Sequence, residues 1–182
     1  MRVISGQKRG KKLEVLLEQT VRPTTDKVKE SVFNVIQFEI AGARFLDLFA
    51  GSGQIGIEAL SRGALLATFV DENKTSINVV KRNLSATNLE NNSKIVNMDS
   101  ILFLKRTDEI FDIAFLDPPY MSDLLDEAIF LIPKVMSKNG IVICEHSIEK
   151  ILPDKFADFT LSKVYKYGKI EISVYRRENL IC

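Results

Sequence analysis

The chain has 182 residues, 46% apolar and 27% charged, with a mean hydropathy of +0.03, which supplies a proper core and excludes an intrinsically disordered chain. Twenty-five Lys and Arg against 24 Asp and Glu leave a net charge of +1, so a polyanion would have to be met by a local patch and not by a global field. Two cysteines, one histidine and no CxxC pair argue against a metal site with N and S ligands, and the absence of any apolar run of ~18 residues argues against a membrane span; the expectation is a single reduced, cytoplasmic domain over residues 1–182.

In chain order, residues 2–5 and 12–17 read as short strands around Gly6 and Gly10, a hairpin carrying Arg2, Lys8, Arg9, Lys11 and Lys12 with no acidic residue among the first twelve. Arg22-Pro23-Thr24-Thr25-Asp26 then supplies capping groups ahead of Val28, Val32, Phe33, Val35 and Ile36, whose spacing predicts a helix over residues 26–37. From Arg44 onward, strand-like runs at 45–48, 67–70, 94–97, 113–116 and 141–144 alternate with helical patterns. The clearest helix spans 75–89, with Ile77, Val80, Leu84 and Leu89 on one face and Lys81 and Arg82 outward. This alternation predicts a doubly wound α/β fold with a mostly parallel sheet covered on both faces. Residues 160–165 and 170–175, joined through Tyr167-Gly168-Lys169, predict an antiparallel hairpin closing one side of the sheet.

Four turns at strand ends carry the chemistry. In Asp47-Leu48-Phe49-Ala50-Gly51-Ser52-Gly53 a strand meets a glycine-rich loop that opens a helix, the context of a nucleotide site, although a tight turn alone would also use these glycines. Asp47 favours a cationic ligand: a dinucleotide pyrophosphate beside it would meet a repulsion of about 4 kcal/mol at an effective dielectric near 20. S-adenosylmethionine offers an ammonium and a sulfonium instead, with a carboxylate suited to the helix amides. Asp71, after the second strand, is placed either to accept ribose hydroxyls or to cap the next helix. Asp99, after the third, is placed either to accept an adenine amino group or to cap the segment that follows.

Asp117-Pro118-Pro119-Tyr120 follows the fourth strand. An exocyclic base amine is a poor nucleophile, because its lone pair is delocalised into the ring. Asp117 and the Pro118 carbonyl can accept its two hydrogens, turn the lone pair toward a methyl donor and stabilise the charge growing on nitrogen. Pro119 stiffens the turn, and Tyr120 offers a face for a flipped-out base. In a doubly wound sheet the first and fourth strands are neighbours, so this turn and the glycine loop should share one crevice.

With these residues in view, the chain resembles the RsmD-type family of bacterial 16S, small-subunit, ribosomal RNA guanine-N(2) methyltransferases. The resemblance is carried by Met1-Arg2-Val3-Ile4-Ser5-Gly6 with Arg9-Gly10-Lys11, by Arg22-Pro23-Thr24-Thr25-Asp26 with Lys29-Glu30, Phe33 and Asn34, and by residues 47–53, 57–64 and 117–120. It implies a class I (Rossmann-like) methyltransferase fold: seven strands, the C-terminal hairpin, and an N-terminal hairpin-plus-helix extension over residues 1–40. It implies S-adenosylmethionine bound by Asp47, Gly51, Gly53, Asp71 and Asp99, with Phe49 and Ser52 in the same loop, no metal, and a target base held by residues 117–120. The implied substrate is one guanine amine of small-subunit RNA in an assembled or assembling 30S particle. Arg2, Lys8, Arg9, Lys11, Lys12 and Arg22 are the candidate phosphate contacts, or else form a merely solvated basic hairpin. Competing readings are an adenine-amine methyltransferase acting on DNA or RNA, a dinucleotide oxidoreductase, and a non-catalytic RNA-binding assembly factor.

Overall fold

A computed structural model of the protein describes residues 1–16, 26–119 and 122–178. In chain order it contains α1 (Asp26–Val35), β1 (Arg44–Leu48), α2 (Gln54–Ser61), β2 (Leu66–Asp71), α3 (Lys74–Thr87), β3 (Ser93–Asn97) and α4 (Ser100–Arg106). There follow β4 (Phe111–Leu116), α5 (Leu124–Leu131), β5 (Met136–Ser147), β6 (Lys155–Phe156), β7 (Phe159–Tyr167) and β8 (Ile170–Arg177). The strands form one sheet in the order β3-β2-β1-β4-β5-β8-β7-β6. The first five run parallel, and β8 lies antiparallel between β5 and β7. The sheet is the expected doubly wound one with its C-terminal hairpin; the strand beyond seven is the two-residue β6, too short to leave an apolar pattern.

Side chains alternate across the pleat and so build two cores. Phe45, Phe69, Ile113, Phe115 and Ile143 pack beneath residues of α1, α2 and α3, while Leu46, Leu48, Val70, Ala114, Leu116 and Cys144 pack against α4 and α5. On α3, Ile77, Val80 and Leu84 are buried and Lys81 and Arg82 exposed, and Asn88 at φ 52° ends the helix. No helix among the described residues is long and apolar enough to cross a membrane.

The N-terminal segment departs from the expected pair of strands. It contains a single bridge, Arg2 to Lys12, with Val3 N–H donating to Lys11 O at 2.9 Å and Leu13 N–H to Met1 O at 3.0 Å. The reason is a competing acceptor. Ile4 and Ser5, whose pattern suits a strand, give their N–H groups to the Glu58 carboxylate on α2 at 2.8 and 2.9 Å. Gln7 N–H donates to Ser61 O at 2.8 Å, and Gly6 lies so close to α2 that a Cβ there would come 1.9 Å from Ser61 O.

Glu58 is wholly buried, with Arg62 Nε at 2.8 Å and the equally buried Lys29 Nζ at 3.6 Å. Lys29 also donates to Arg2 O at 2.6 Å. Burial pushes the Lys29 pKa down and the Glu58 charge opposes that, so the two ions stay together because neither tolerates burial alone. Glu58→Ala is therefore expected to cost about 3 kcal/mol, since removing one partner of a buried pair costs on that order. Denaturant unfolding reads the loss, and hydrogen exchange should accelerate first at Ile4 and Ser5; unchanged exchange there would show that Glu58 is not the tether.

Candidate active site

Chain order reverses at β1, which pairs with β2 on one flank and β4 on the other, so the connections leaving β1 and β4 diverge and open a crevice at their carboxyl ends. A cavity of about 270 Å³ lies there. On the β1 side, Phe49, Gly51 and Gly53 take φ of 72°, 54° and 75°, left-handed values that glycine adopts readily and phenylalanine rarely. Phe49 and Ala50 donate to Val70 O at 3.1 and 2.9 Å, and Gly51 N–H donates to Asp71 Oδ2 at 2.8 Å. Asp71 thus braces the glycine turn, and its other oxygen accepts from Asn73 N–H at 2.8 Å. The cap of α3 is Asn73, which accepts from Thr75 N–H at 2.8 Å; Asp71 is not the cap. Asp99 does cap α4, accepting from Leu102 N–H at 2.7 Å, while still lining the cavity.

Asp47 is 2% exposed and accepts from Gly56 N–H on α2 at 2.9 Å. That approach requires glycine: a Cβ on residue 56 would sit 2.3 Å from Phe69 Cε1, and Phe69 stands in register with Asp47. Across the crevice, Asp117, Pro118 and Pro119 line the same cavity. Register pairs Asp47 with Phe115 and Leu116 with Cys144, so Asp47, Asp117 and Glu145 share one face on neighbouring strands.

Burial, then the charges of Glu145 and Asp47, raise the Asp117 pKa well above the usual carboxylate range. Burial likewise raises Asp71, and pushes Asp47 up to about 7 against the opposing Gly56 hydrogen bond. The lining carries the carboxylates of Asp47, Asp71, Glu72, Asp99 and Asp117 and, among the described residues, no lysine, arginine or histidine side chain. Such a site favours a cation with hydroxyl or amine donors and disfavours a pyrophosphate.

Asp47, Phe49, Gly51, Ser52, Asp71, Asp99, Asp117, Pro118 and Pro119 all lie around one cavity. Gly53 does not line it; it is the N-cap of α2 and packs against Val80 and Phe69. Tyr120 and Arg22 lie outside the described residues. Arg2 pairs with Asp26 at 3.5 Å, whereas Lys8, Arg9, Lys11 and Lys12 have no ion pair among the described residues. Sequence reasoning missed Gln54, Met1, Val15 and Leu16 in the lining and Glu145 beside Asp117. Gln54 was findable from its adjacency to Gly53, and Glu145 from its place at the end of the strand neighbouring β4.

A model of the family described as conserved hypothetical protein 95 matches residues 1–176. Ribosomal RNA small subunit methyltransferase D of Escherichia coli (strain K12) is 36% identical over 98% of this chain and 90% of its own length. The chain belongs to the RsmD family. YlbH of Bacillus subtilis (strain 168) is 39% identical over 97% of this chain and 99% of its own. The solved structure of yhhF from Escherichia coli superposes with a TM-score of 0.88 at 36% identity, covering 98% of each chain. SMU.776, solved in complex with SAH, shares the fold alone, with a TM-score of 0.70 at 19% identity over 82% of this chain and 48% of that one.

The raised Asp47 pKa has a thermodynamic consequence for this RsmD-family chain. The group holds its proton more tightly folded, at about 7, than in the unfolded chain near 3.8. Its contribution to stability is therefore fully present below about pH 4 and is lost as pH rises through 7. Asp47→Asn keeps an acceptor for Gly56 and removes the ionisation. The ligand-free variant is expected to be more stable than the parent by on the order of 4 kcal/mol at pH 8 and nearly equal to it near pH 4. Urea unfolding at the two pH values checks this; a difference independent of pH would refute the assignment.

Proposed function

We propose that the protein is an S-adenosylmethionine-dependent methyltransferase that methylates the exocyclic N2 amine of a specific guanine in small-subunit ribosomal RNA, in the cytoplasm and within an assembled or assembling 30S particle. The observation that carries this reading is the meeting of the Asp47–Gly51 turn and the Asp117–Pro118–Pro119 turn around one acidic cavity. The names of the relatives support the ribosomal substrate, and the family resemblance supports guanine.

The residues suit the donor. Asp71 is placed for the ribose hydroxyls, Asp99 for the adenine amine, and Asp47 with the glycine turn for the charged amino-acid end, with Phe49 and Ser52 completing the wall. When bound, S-adenosylmethionine supplies an electrophilic methyl on a sulfonium. Asp117 and the Pro118 carbonyl accept the two hydrogens of the base amine and aim its lone pair across the crevice. The Asp117 carboxylate then stabilises the positive charge that develops on nitrogen. Tyr120 stacks on the base. Residues 1–40 form the RNA-contacting extension, with Arg2, Lys8, Arg9, Lys11, Lys12 and Arg22 meeting phosphates.

Methyl transfer to 30S-like particles, followed by nucleoside mass spectrometry, tests the reaction. N2-methylguanosine is the expected product; methyladenosine in its place would assign the adenine-directed alternative. Asp117→Ala should lower kcat by about 100-fold or more, as loss of one donor or acceptor at a developing charge does, while S-adenosylmethionine affinity stays within about twofold. Full activity in that variant would favour the non-catalytic assembly factor. Tyr120→Phe should retain activity and Tyr120→Ala lose it, because stacking needs the ring and not the hydroxyl; equal rates for the two variants would remove the stacking role.

A further inference from the structure

Along β7, Lys163, Tyr165 and Tyr167 recur at every second residue, and Lys169 follows in the hairpin turn. A bulge decides which way they face. Phe159 and Leu161 pack into the core beneath α4 and α5. Ser162 then has no partner on β8, and beyond it Lys163, Tyr165 and Tyr167 stand opposite Val174, Ile172 and Ile170. One extra residue flips the pleat, so the set lies on the face that α1 covers, with both tyrosines half-buried against that core. Packing alone would be served by apolar side chains; this face alternates rings with cations, and Lys163 Nζ sits 5.1 Å from the centre of the Tyr165 ring.

The turn stands on the rim where the crevice opens. Ile170 pairs with Ser147 at the carboxyl end of β5, and Lys169 O accepts from Ile148 N–H at 3.0 Å. Tyr167 Oη is hydrogen-bonded to Ser31 Oγ on α1, whereas Glu39, beyond the end of α1, pairs with Arg176 at the other end of β8. Lys27, one turn before Ser31 on the same side of α1, therefore lies toward the crevice end as well. Lys27, Lys163 and Lys169 are exposed and have no ion pair among the described residues. Nearby carboxylates are mostly taken, Asp26 by Arg2 and Glu171 by Lys166, and Glu30 is the exposed exception. We infer that this face is a second RNA-contacting surface, which holds single-stranded nucleotides flanking the target base: Lys27, Lys163 and Lys169 meet phosphates, and Tyr165 and Tyr167 carry a stacked base. Cations interleaved with rings suit a single strand, whose bases are free to stack. In the sheet order β7 is three strands from β4, about 14 Å at roughly 4.8 Å per strand, within a few nucleotides of a base held at Asp117. The arm is fastened to α2 and α3 and the hairpin lies beyond β5, so the base site falls between the two surfaces. The inference rests on the RNA methyltransferase reading and adds a surface to it.

Binding of the full chain to 30S-like particles over roughly 50 to 200 mM salt tests the surface. Lys27→Gln/Lys163→Gln/Lys169→Gln should weaken binding by about tenfold or more at the low-salt end. It should also make the slope of log K against log salt shallower by about two, since each phosphate contact on a single strand contributes about 0.7. In methyl transfer to the particles, KM should rise while kcat stays within about twofold, because none of the three lysines lines the crevice. Lys105→Gln/Arg106→Gln/Lys138→Gln removes the same charge from the end of α4 and the start of β5 and should leave affinity and slope nearly unchanged; an equal loss there would reduce the effect to net charge and overturn the inference. Tyr165→Leu keeps an apolar contact and removes the ring. It should weaken binding about tenfold at the high-salt end with the slope unchanged, as loss of one stacked base does; no loss would overturn the stacking role. Hydroxyl-radical footprinting of the particles at equal occupancy names the partner. The parent should protect the RNA backbone within a few nucleotides of the modified guanine, and the triple lysine variant should lose part of that protection. Weakened binding with RNA protection unchanged would make the partner a ribosomal protein, and unchanged binding would remove the surface; either overturns the inference and leaves the methyltransferase reading standing. A parent chain that neither binds nor methylates the particles would overturn both together.

Discussion

Asp47 and Asp117 face one cavity from adjacent parallel strands, and the protein offers the pair little in return. Asp47 receives one backbone amide, from Gly56, and Asp117 has no partner among the described residues. Both pKa values rise on burial, and each of Asp71, Glu145 and Asp47 adds to the electrostatic strain. Like charges in a half-desolvated crevice oppose folding, so the arrangement persists only because the sheet over-determines it: the β1–β4 register, the left-handed turn at Phe49 and the Gly56–Phe69 contact leave the carboxylates nowhere else to go. The same strain makes the site preorganised for positive charge. A cationic ligand favours the ionised forms of Asp47 and Asp117 alike, and under the proposed function charge building on a nitrogen beside Asp117 would then meet a carboxylate held in place by the sheet. Stability in the ligand-free chain and electrostatic fitness for a cation are thus two readings of one interaction.

How much of this was legible in the sequence depends on the range of the interaction that decides each element. The parallel strands, the helix faces and both strand-end turns follow from local periodicity and from glycine and proline chemistry, and the structure has them where the pattern puts them. The adjacency of Asp47 and Asp117 followed from one topological rule. What escaped was decided at long range. Residues 2–5 alternate as a strand should, yet the acceptor for Ile4 and Ser5 is a carboxylate more than fifty positions away, and nothing local reveals it. Lys29 and Glu58 belong to recognisable family motifs, but charged residues on helices ordinarily read as solvated, and only the packed arm turns them into a buried pair. Asp71 and Asp99 were equivocal between ligand and cap for the opposite reason: the two roles use the same geometry. Neighbouring residues settle the capping: Asn73 takes over the cap of α3, leaving Asp71 to brace the glycine turn, and no such residue relieves Asp99.

A net charge of +1 conceals a separation that the tether at Glu58 maintains. By accepting from the Ile4 and Ser5 amides, the Glu58 carboxylate fastens to α2 the same N-terminal segment that carries Lys8, Arg9, Lys11 and Lys12, while Met1, Val15 and Leu16 of that segment reach the wall of the acidic cavity. Cationic side chains without ion pairs among the described residues therefore stand on the segment that borders a pocket of carboxylates. For a nucleic acid the two regions sort its parts by charge. Phosphates are attracted to the segment and repelled from the pocket, at an energy of about 4 kcal/mol per close carboxylate in a partly desolvated site, whereas a base, neutral and rich in N–H donors, loses nothing by entering. Under the proposed function, a strand held by its backbone on the arm would satisfy both fields by sending a base inward and keeping its phosphates out. The buried Lys29–Glu58 pair, joining α1 to α2, is what holds the two fields in register.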